Sequence, residues 1–279
     1  MSQYKILWLA DYSHEEHKGG SQQTNKMMVD YGKSHGFDIE MVFGGVTMPK
    51  LDKYDAIISN NITKWEKEVI RGLRRSKVHI RYEHDNWVAK NIPDLYKEVS
   101  HTVFLSPLHR KNVEKIVGYN VVNSSLVSSP IDVKKFRMGG QKEENSVLWC
   151  GNFCHDKGSL EFMDYAECNK QMKFYVAGWG GDIGKIESYG NMEYLGELDV
   201  DKLAKEYQRC EYFYHRPIGY EAFGRAVVEA YLCGCNLLVN DIVGVMSWNW
   251  DFSDYESVRK NVQSESRFWQ IVKDCIEIS

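Results

Sequence analysis

Apolar positions in this chain fall in short runs, separated by polar or amphipathic stretches. YKILWLA, Tyr4 to Ala10, is almost continuously apolar and reads as a buried strand. A polar loop ending in KGGSQQTN follows, and SQQTNKMMVDYGKSHG then has helical spacing with Gly36 as its stop. FDIEMVF, YDAIISN, KVHIRYEH, HTVFLS and NSSLVSS read as further strands, with helical or irregular segments between them. Strand, crossover helix and strand in repetition predict a parallel sheet with helices on both faces.

The rhythm breaks at RMGGQKEEN, a Gly-rich charged stretch that reads as a linker, and then restarts. SVLWCGN, MKFYVAG, MEYLG, EYFYHR and NLLVND read as strands; KGSLEFMDYAECN, VDKLAKEYQRC and GRAVVEAYLCG read as helices. The expectation is two α/β domains, 1–137 and 138–279. The amphipathic last helix, ESRFWQIVKDCIEI, is a candidate to cross back to the first domain. In sheets of this kind ligands bind beyond the carboxyl ends of the strands, so the loops after Ala10, Arg81, Trp149, Ala177 and Tyr214 become the places to look.

Composition narrows the classes. The 279 residues suit about two domains, and 43% hydrophobic with 27% charged residues is ordinary for a globular chain. A net charge of −4 supplies no global field to recruit nucleic acid or an anionic membrane. No apolar run approaches the ~18 residues of a membrane-spanning helix, and the opening MSQYKILWLADYS lacks the pattern of a signal peptide, so the expected location is cytoplasmic. The seven cysteines include no Cys-x-x-Cys pair and read as free thiols. HEEH at His14 to His17 is not His-Glu-x-x-His and reads as a polar loop.

The chemistry concentrates in RPIGYEAFGRAVVEAYLCG, Arg216 to Gly234. VVEAYL favours helix, with Gly234 placed as a left-handed cap, so a helix is expected to begin near Phe223 or Gly224. The amides of Phe223, Gly224 and Arg225 then form an anion site suited to a diphosphate. Gly224 allows a ligand close to the backbone. Glu221 sits at the lip, where it accepts from a polyol, and Glu229 lies deeper, where it accepts from paired hydroxyls such as those of a ribose. A bound hydroxyl satisfies an acid that is otherwise costly to bury. The alternatives are two solvated helix charges, or a glycosidase acid pair.

The same stretch resembles the signature of retaining GT-B glycosyltransferases, above all glycosyltransferase family 4: Pro-x-x-x-Glu-x-Phe-Gly-x-x-x-x-Glu-Ala. Other segments agree in order. ILWLADYSHEEHKGGSQQ is similar to the first strand and Gly-Gly loop, which places Gly19 and Gly20 near donor phosphates. VHIRYEHDNW maps the acceptor-side histidine onto His84. SSPIDVKKF is similar to the segment closing the first domain, and VLWCGNFCHDKGSLEF to the Gly-Arg-x-x-x-x-Lys-Gly loop, with its lysine at Lys157. The fold implied is GT-B, two Rossmann-like doubly wound domains facing across a cleft. The reaction implied is retaining transfer of a sugar from a nucleoside-diphosphate sugar, a UDP- or GDP-sugar first among them, with no other cofactor. Lys157, the helix N-terminus and the Gly19–Gly20 amides would stabilise charge on the leaving diphosphate, at about 3 to 4 kcal/mol for such a donor. Asn152 stands where the family has arginine, with Arg216 or Arg225 as candidate replacements. Base contacts are implied near Gly178 to Gly180 and Tyr194 to Gly196. No Asp-x-Asp motif is placed for the task, so no metal is expected.

The acceptor stays open among glycan, lipid, small molecule, protein and nucleic acid. The seven basic residues between Lys64 and Arg81 read first as a solvated helix face, and otherwise as a contact with an anionic membrane or nucleic acid. Gly178, Gly180 and Gly184 do not fit a dinucleotide fingerprint. Two competing functions remain: a nucleotide-sugar epimerase of related architecture, and a non-catalytic nucleotide-sugar or glycan-binding protein, the latter prompted by Asn152.

Overall fold

A computed structural model describes residues 4–17, 19–44, 47–65, 70, 72–73 and 76–279. Much of the basic segment between Lys64 and Arg81 lies outside the described residues. The chain divides into two compact units, Met1–Pro130 with Val262–Ser279, and Ile131–Asn261.

The first unit is built on a six-stranded parallel sheet: β1 (Tyr4–Ala10), β2 (Phe37–Phe43), β3 (Ala56–Ser59), β4 (His79–Tyr82), β5 (His101–Phe104) and β6 (Ser124–Leu126), in the order β2-β1-β3-β4-β5-β6. The central β1 pairs in parallel with both β2 and β3, which explains why its run is apolar on both faces. Leu7 and Leu9 join a core with Ile57, Val88, Leu95, Phe104 and Val113. On the other face Trp8 meets Tyr82, Phe268 and Trp269 at ring distances of 6.2, 5.8 and 6.2 Å. Helix α1 (Gly20–Ser34) ends before Gly36, whose φ of +90° suits glycine. Short helices α2 (Trp87–Asn91) and α3 (Leu95–Glu98) follow β4, and α4 (Pro107–Val117) follows β5, capped by Ser106 accepting from the His109 amide.

The second unit has a five-stranded parallel sheet: β7 (Glu143–Asn152), β8 (Lys173–Trp179), β9 (Met192–Gly196), β10 (Cys210–His215) and β11 (Asn236–Val239), ordered β11-β10-β7-β8-β9. Its helices are α5 (Ser159–Cys168), α6 (Val200–Arg209), α7 (Arg225–Leu232) and α8 (Tyr255–Asn261). Val147, Trp149, Phe162, Phe174, Val176 and Tyr214 fill one core. Lys142 Nζ donates to the carbonyls of Tyr207, Cys210 and Cys233 at 2.7, 2.9 and 3.0 Å, satisfying acceptors that the ends of α6 and α7 leave open. All seven cysteines are free thiols.

The units divide at Pro130/Ile131, ahead of the glycine-rich stretch after Arg137. Ile131, Val133 and Phe136 are buried, and Phe136 meets Tyr207 of α6 at 6.0 Å. The supposed linker is itself engaged: Gln208 Nε2 donates to Arg137 O at 2.9 Å, and β7 begins inside the charged run at Glu143. The last helix, α9 (Glu265–Ile278), belongs to the first unit, where Trp269 Nε1 donates to Met28 O at 2.8 Å.

Two buried histidines of the first unit predict an acid-labile fold. Burial, helped by Arg81, lowers His79 to about 3. Burial also lowers His109 to about 4, although a hydrogen bond to Asp85 opposes it. Both folded values lie below the ordinary 6.5, so the unfolded chain binds more protons and stability falls as pH drops from about 6.5 to 4. Asp85, raised chiefly by burial and then by Glu83, acts in the opposite sense. Each histidine contributes on the order of 3 kcal/mol. Urea midpoints should fall steadily from pH 7 to 4.5; a flat profile would refute the assignment.

Candidate active site

In an open parallel sheet the loops diverge where strand order reverses, leaving a crevice at the carboxyl ends. In the second sheet that point lies between β7 and β10, which pair in parallel. Lys157 follows β7, and Glu221 follows β10.

The two loops are laced together. Asp156 O accepts from the amides of Ile218 and Gly219 at 3.1 and 3.0 Å. Gly158 has a φ of +84°, and a Cβ there would meet Arg216 O at 2.2 Å. Only glycine suits that position. Glu221 is fixed from its other side: its amide donates to Ile242 O at 3.3 Å, and its carbonyl accepts from Gly244 at 2.9 Å. The result places Lys157 Nζ in a short hydrogen bond to Glu221 Oε2, with His215 Nε2 at 3.7 Å from the same oxygen.

Glu221 is only 22% exposed. Burial alone would raise its carboxyl, but His215 and then Lys157 outweigh that and hold it at about 2. The site therefore carries a fixed anion flanked by an ammonium and an imidazole. His215 was not among the residues singled out from the sequence. Its signal was positional: it is the last residue of β10, in a loop flagged only as a place to look.

Helix α7 starts at Arg225, slightly later than expected. Gly224 is its N-cap, at φ +88°, and a Cβ there would meet Val243 Cγ1 at 2.4 Å. The backbone and Val243 thus demand glycine before any ligand is considered. Phe223 has its side chain in the core beside Trp250, at 6.2 Å, while its carbonyl accepts from Val245. Its contribution to the site is confined to the main chain. Arg225 Nη2 donates to Glu229 Oε1 at 3.3 Å, one turn along the helix. Glu229 is buried, which raises its carboxyl against the pull of Arg225.

Gly178, with φ +131°, lies where a Cβ would meet Gly151 O at 2.0 Å, so its requirement comes from the approach of β8 to β7. Its carbonyl accepts from Tyr194 Oη at 2.6 Å. Asn152 is exposed at the end of β7, in register with Trp179. Of the two candidate arginines, Arg225 is engaged with Glu229 and Arg216 is exposed on the β10–α7 loop.

In the first unit Gly19 is the N-cap of α1 in an extended conformation, and Gly20 is its first residue. They follow β1, at the reversal between β1 and β3. His84 follows β4, half-buried and edge-on to Tyr82 at 4.6 Å. His14 to His17 form part of a turn in which Glu16 accepts from the Ser13 amide at 3.0 Å. The structure thus brings together Lys157, Glu221 and His215, and pairs Arg225 with Glu229.

Similarity to known proteins follows the fold. No family model matches the chain. An uncharacterized 42.6 kDa protein in the cps region of Klebsiella pneumoniae is 29% identical over 140 residues, covering 48% of this chain and 34% of that protein. The chain thus matches about a third of that curated relative's length. Sucrose-phosphate synthase of Thermosynechococcus elongatus superposes with a TM-score of 0.71 at 14% identity, covering 99% of this chain and 94% of that one. HepE of Anabaena, in complex with UDP and glucose, gives 0.62 at 13% identity, covering 99% and 98%. With its two parallel sheets in succession, the chain has the GT-B fold of these structures. None of its helices among the described residues is long and apolar enough to cross a membrane.

Proposed function

We propose that this protein is a retaining glycosyltransferase that moves a sugar from a nucleoside-diphosphate sugar to an acceptor hydroxyl. The observation that carries the reading is the Lys157–Glu221–His215 cluster at the strand-order reversal, one turn ahead of the N-terminus of α7. A lysine and the first-turn amides of a helix suit a diphosphate, and a carboxylate held ionised beside them suits sugar hydroxyls. Likeness of fold to HepE, which was found with UDP and glucose, makes UDP-sugars the first donors to try.

The chemistry follows from these groups. The bond from the anomeric carbon to the diphosphate loosens first, and negative charge grows on the leaving oxygen. Lys157 and the amides opening α7 stabilise that charge where they already stand, which is the main source of rate in such sites. The acceptor hydroxyl then attacks from the face the diphosphate leaves, preserving the anomeric configuration, and its proton passes to the departing diphosphate. Glu229 is proposed to take a ribose diol. No metal is assigned a role.

Asn152 favours a second reading, a protein that holds nucleotide sugars without turning them over, because it puts a neutral side chain where the resemblance has a second cation beside Lys157. A panel of UDP-, GDP- and ADP-sugars, with and without EDTA, separates the readings. EDTA-resistant release of nucleotide that depends on an acceptor supports the transferase. Release without any acceptor supports an epimerase, and binding of one donor without turnover supports the holding protein.

A further inference from the structure

At the carboxyl ends of β1 and β3, in the first unit, lies a group of side chains that the scheme above does not use. Helix α1 opens there with Gly19 as its N-cap, no side-chain cap and no acid in its first turn. Its leading amides have no partner within the helix. Asn61 Nδ2 donates to Ser21 Oγ at 3.4 Å, and Ser21 Oγ donates to Gln22 Oε1 at 3.0 Å. Asn25 stands one turn beyond Ser21 on the same face of α1, and its Nδ2 donates to Asn60 Oδ1 at 3.4 Å. Asn60 is fixed by its main chain: its amide donates to Leu9 O at 2.9 Å, and its carbonyl accepts from Arg81. Carboxamides from two segments thus line the start of α1.

Three of them keep a group unspent. Asn60 Nδ2, Asn25 Oδ1 and Asn61 Oδ1 are buried atoms without a hydrogen-bond partner. Asn60 is 0% and Asn25 3% exposed. Buried amide groups are nearly always satisfied, and leaving one donor and two acceptors open is costly. Such departures from what the fold alone prefers collect where a ligand is held. The exposed Gly20 and the half-buried Ser21 and Asn61 form the mouth, with Asn25 and Asn60 behind them.

The chemistry of the set selects the ligand. An anion suits the helix amides, but it would face the oxygens of Asn25 and Asn61, which repel it. Among the described residues no cation joins the group: Lys26 pairs with Asp30, and Lys64 lies over the Tyr12 ring at 3.6 Å. Asp11 is spent on the amides of Thr63 and Lys64, both at 2.9 Å. A hydroxyl both donates and accepts, so it can take an amide N–H on one side and an asparagine oxygen on the other. We propose that this end of the first unit binds an uncharged sugar ring through Asn25, Asn60, Asn61 and the leading amides of α1, and that the sugar is the acceptor. The assignment as acceptor rests on the proposed function; the binding does not.

The test is ligand-observed NMR of the full chain with the methyl glycosides of glucose, galactose, mannose and N-acetylglucosamine, with and without UDP. At least one should bind, and inorganic phosphate should not displace it. Asn61→Leu and Asn25→Leu should each weaken that binding by about five- to tenfold, the loss of one neutral hydrogen bond. Asn25→Leu separates a binding group from a fold element, because leucine is close in size and removes an unpaired polar atom, while Asn60 Oδ1 keeps the Asn61 amide at 2.6 Å. Its urea midpoint should hold or rise as glycoside binding falls. Binding of no glycoside, or binding that either variant retains in full, overturns the inference. Displacement by phosphate also overturns it, by making the α1 end an anion site. Displacement by UDP-glucose but not by UDP gives the sugar to the donor and overturns its assignment as acceptor. None of these outcomes touches the donor site of the second unit, whose failure is read separately in the sugar-nucleotide panel.

Discussion

Replacing Arg81 with methionine should destabilise the protein by about 3–5 kcal/mol, enough to remove much of a typical domain's stability. Arg81 is 1% exposed in the middle of the six-stranded sheet. Its Nε and Nη2 donate to both oxygens of Glu83 at 2.8 and 2.6 Å, and Nη1 donates to Ser59 O at 2.9 Å and also to Asn60 O. Tyr96 Oη donates to Glu83 at 2.6 Å, closing the network. A planar guanidinium is the group that can meet a carboxylate and two carbonyls at once. Methionine matches its length and leaves Glu83 buried without a cation, together with two carbonyls that have lost a donor. Adding Glu83→Met should recover part of the loss, since the stranded charge is the largest single cost. Urea unfolding followed by tryptophan fluorescence gives both values. A single variant within about 1 kcal/mol of the unaltered protein would show that the network is not needed to bury these groups.

That network also shows where sequence reading stops. RYEH was legible as a strand because its neighbours are apolar and β-prone, but nothing local says that the arginine and glutamate two residues apart are both interior. Period-2 spacing puts them on one face, and only the tertiary surroundings decide whether that face is wet. The strands themselves were legible for a simpler reason: in parallel sheets covered on both sides, runs such as YKILWLA and VLWC are uniformly apolar. The last helix could be read from its amphipathic spacing, down to its bounds. The unit boundary was misplaced because glycines and charges signal a turn whether or not it separates units. Gly139 and Gly140 pack against Gln208, and the apolar Ile131, Val133 and Phe136, spread through a polar-looking segment, were the better signal.

The candidate site was legible to a similar degree. Glu221 and Lys157 were found through motif spacing, and their contact is long-range in sequence, so the motif supplied what local pattern did not. His215 carries no motif; its importance comes from ending the strand beside the reversal, which requires the strand order to be known. Gly178 and Gly224 were noticed for their chemistry, whereas the fold requires them for reasons of backbone space.

With the donor that the sugar-nucleotide panel identifies, Lys157→Ala should lower kcat by about 10²–10³, in line with the loss of one preorganised donor from a developing anion. Lys157 is the cation that the β7 loop presents, because Asn152 at the end of the strand is neutral and Arg225 is held by Glu229. The effect should fall mainly on kcat, since charge on the leaving oxygen is greater in the transition state than in the bound donor. Lys157→Arg is the informative companion. It restores the charge, but its larger planar head must fit where the compact ammonium now bonds Glu221. Partial recovery, to within about tenfold, is therefore expected rather than full activity. A kcat within about threefold of that of the unaltered protein for Lys157→Ala would take the lysine out of the proposed reaction and leave it as a structural partner of Glu221.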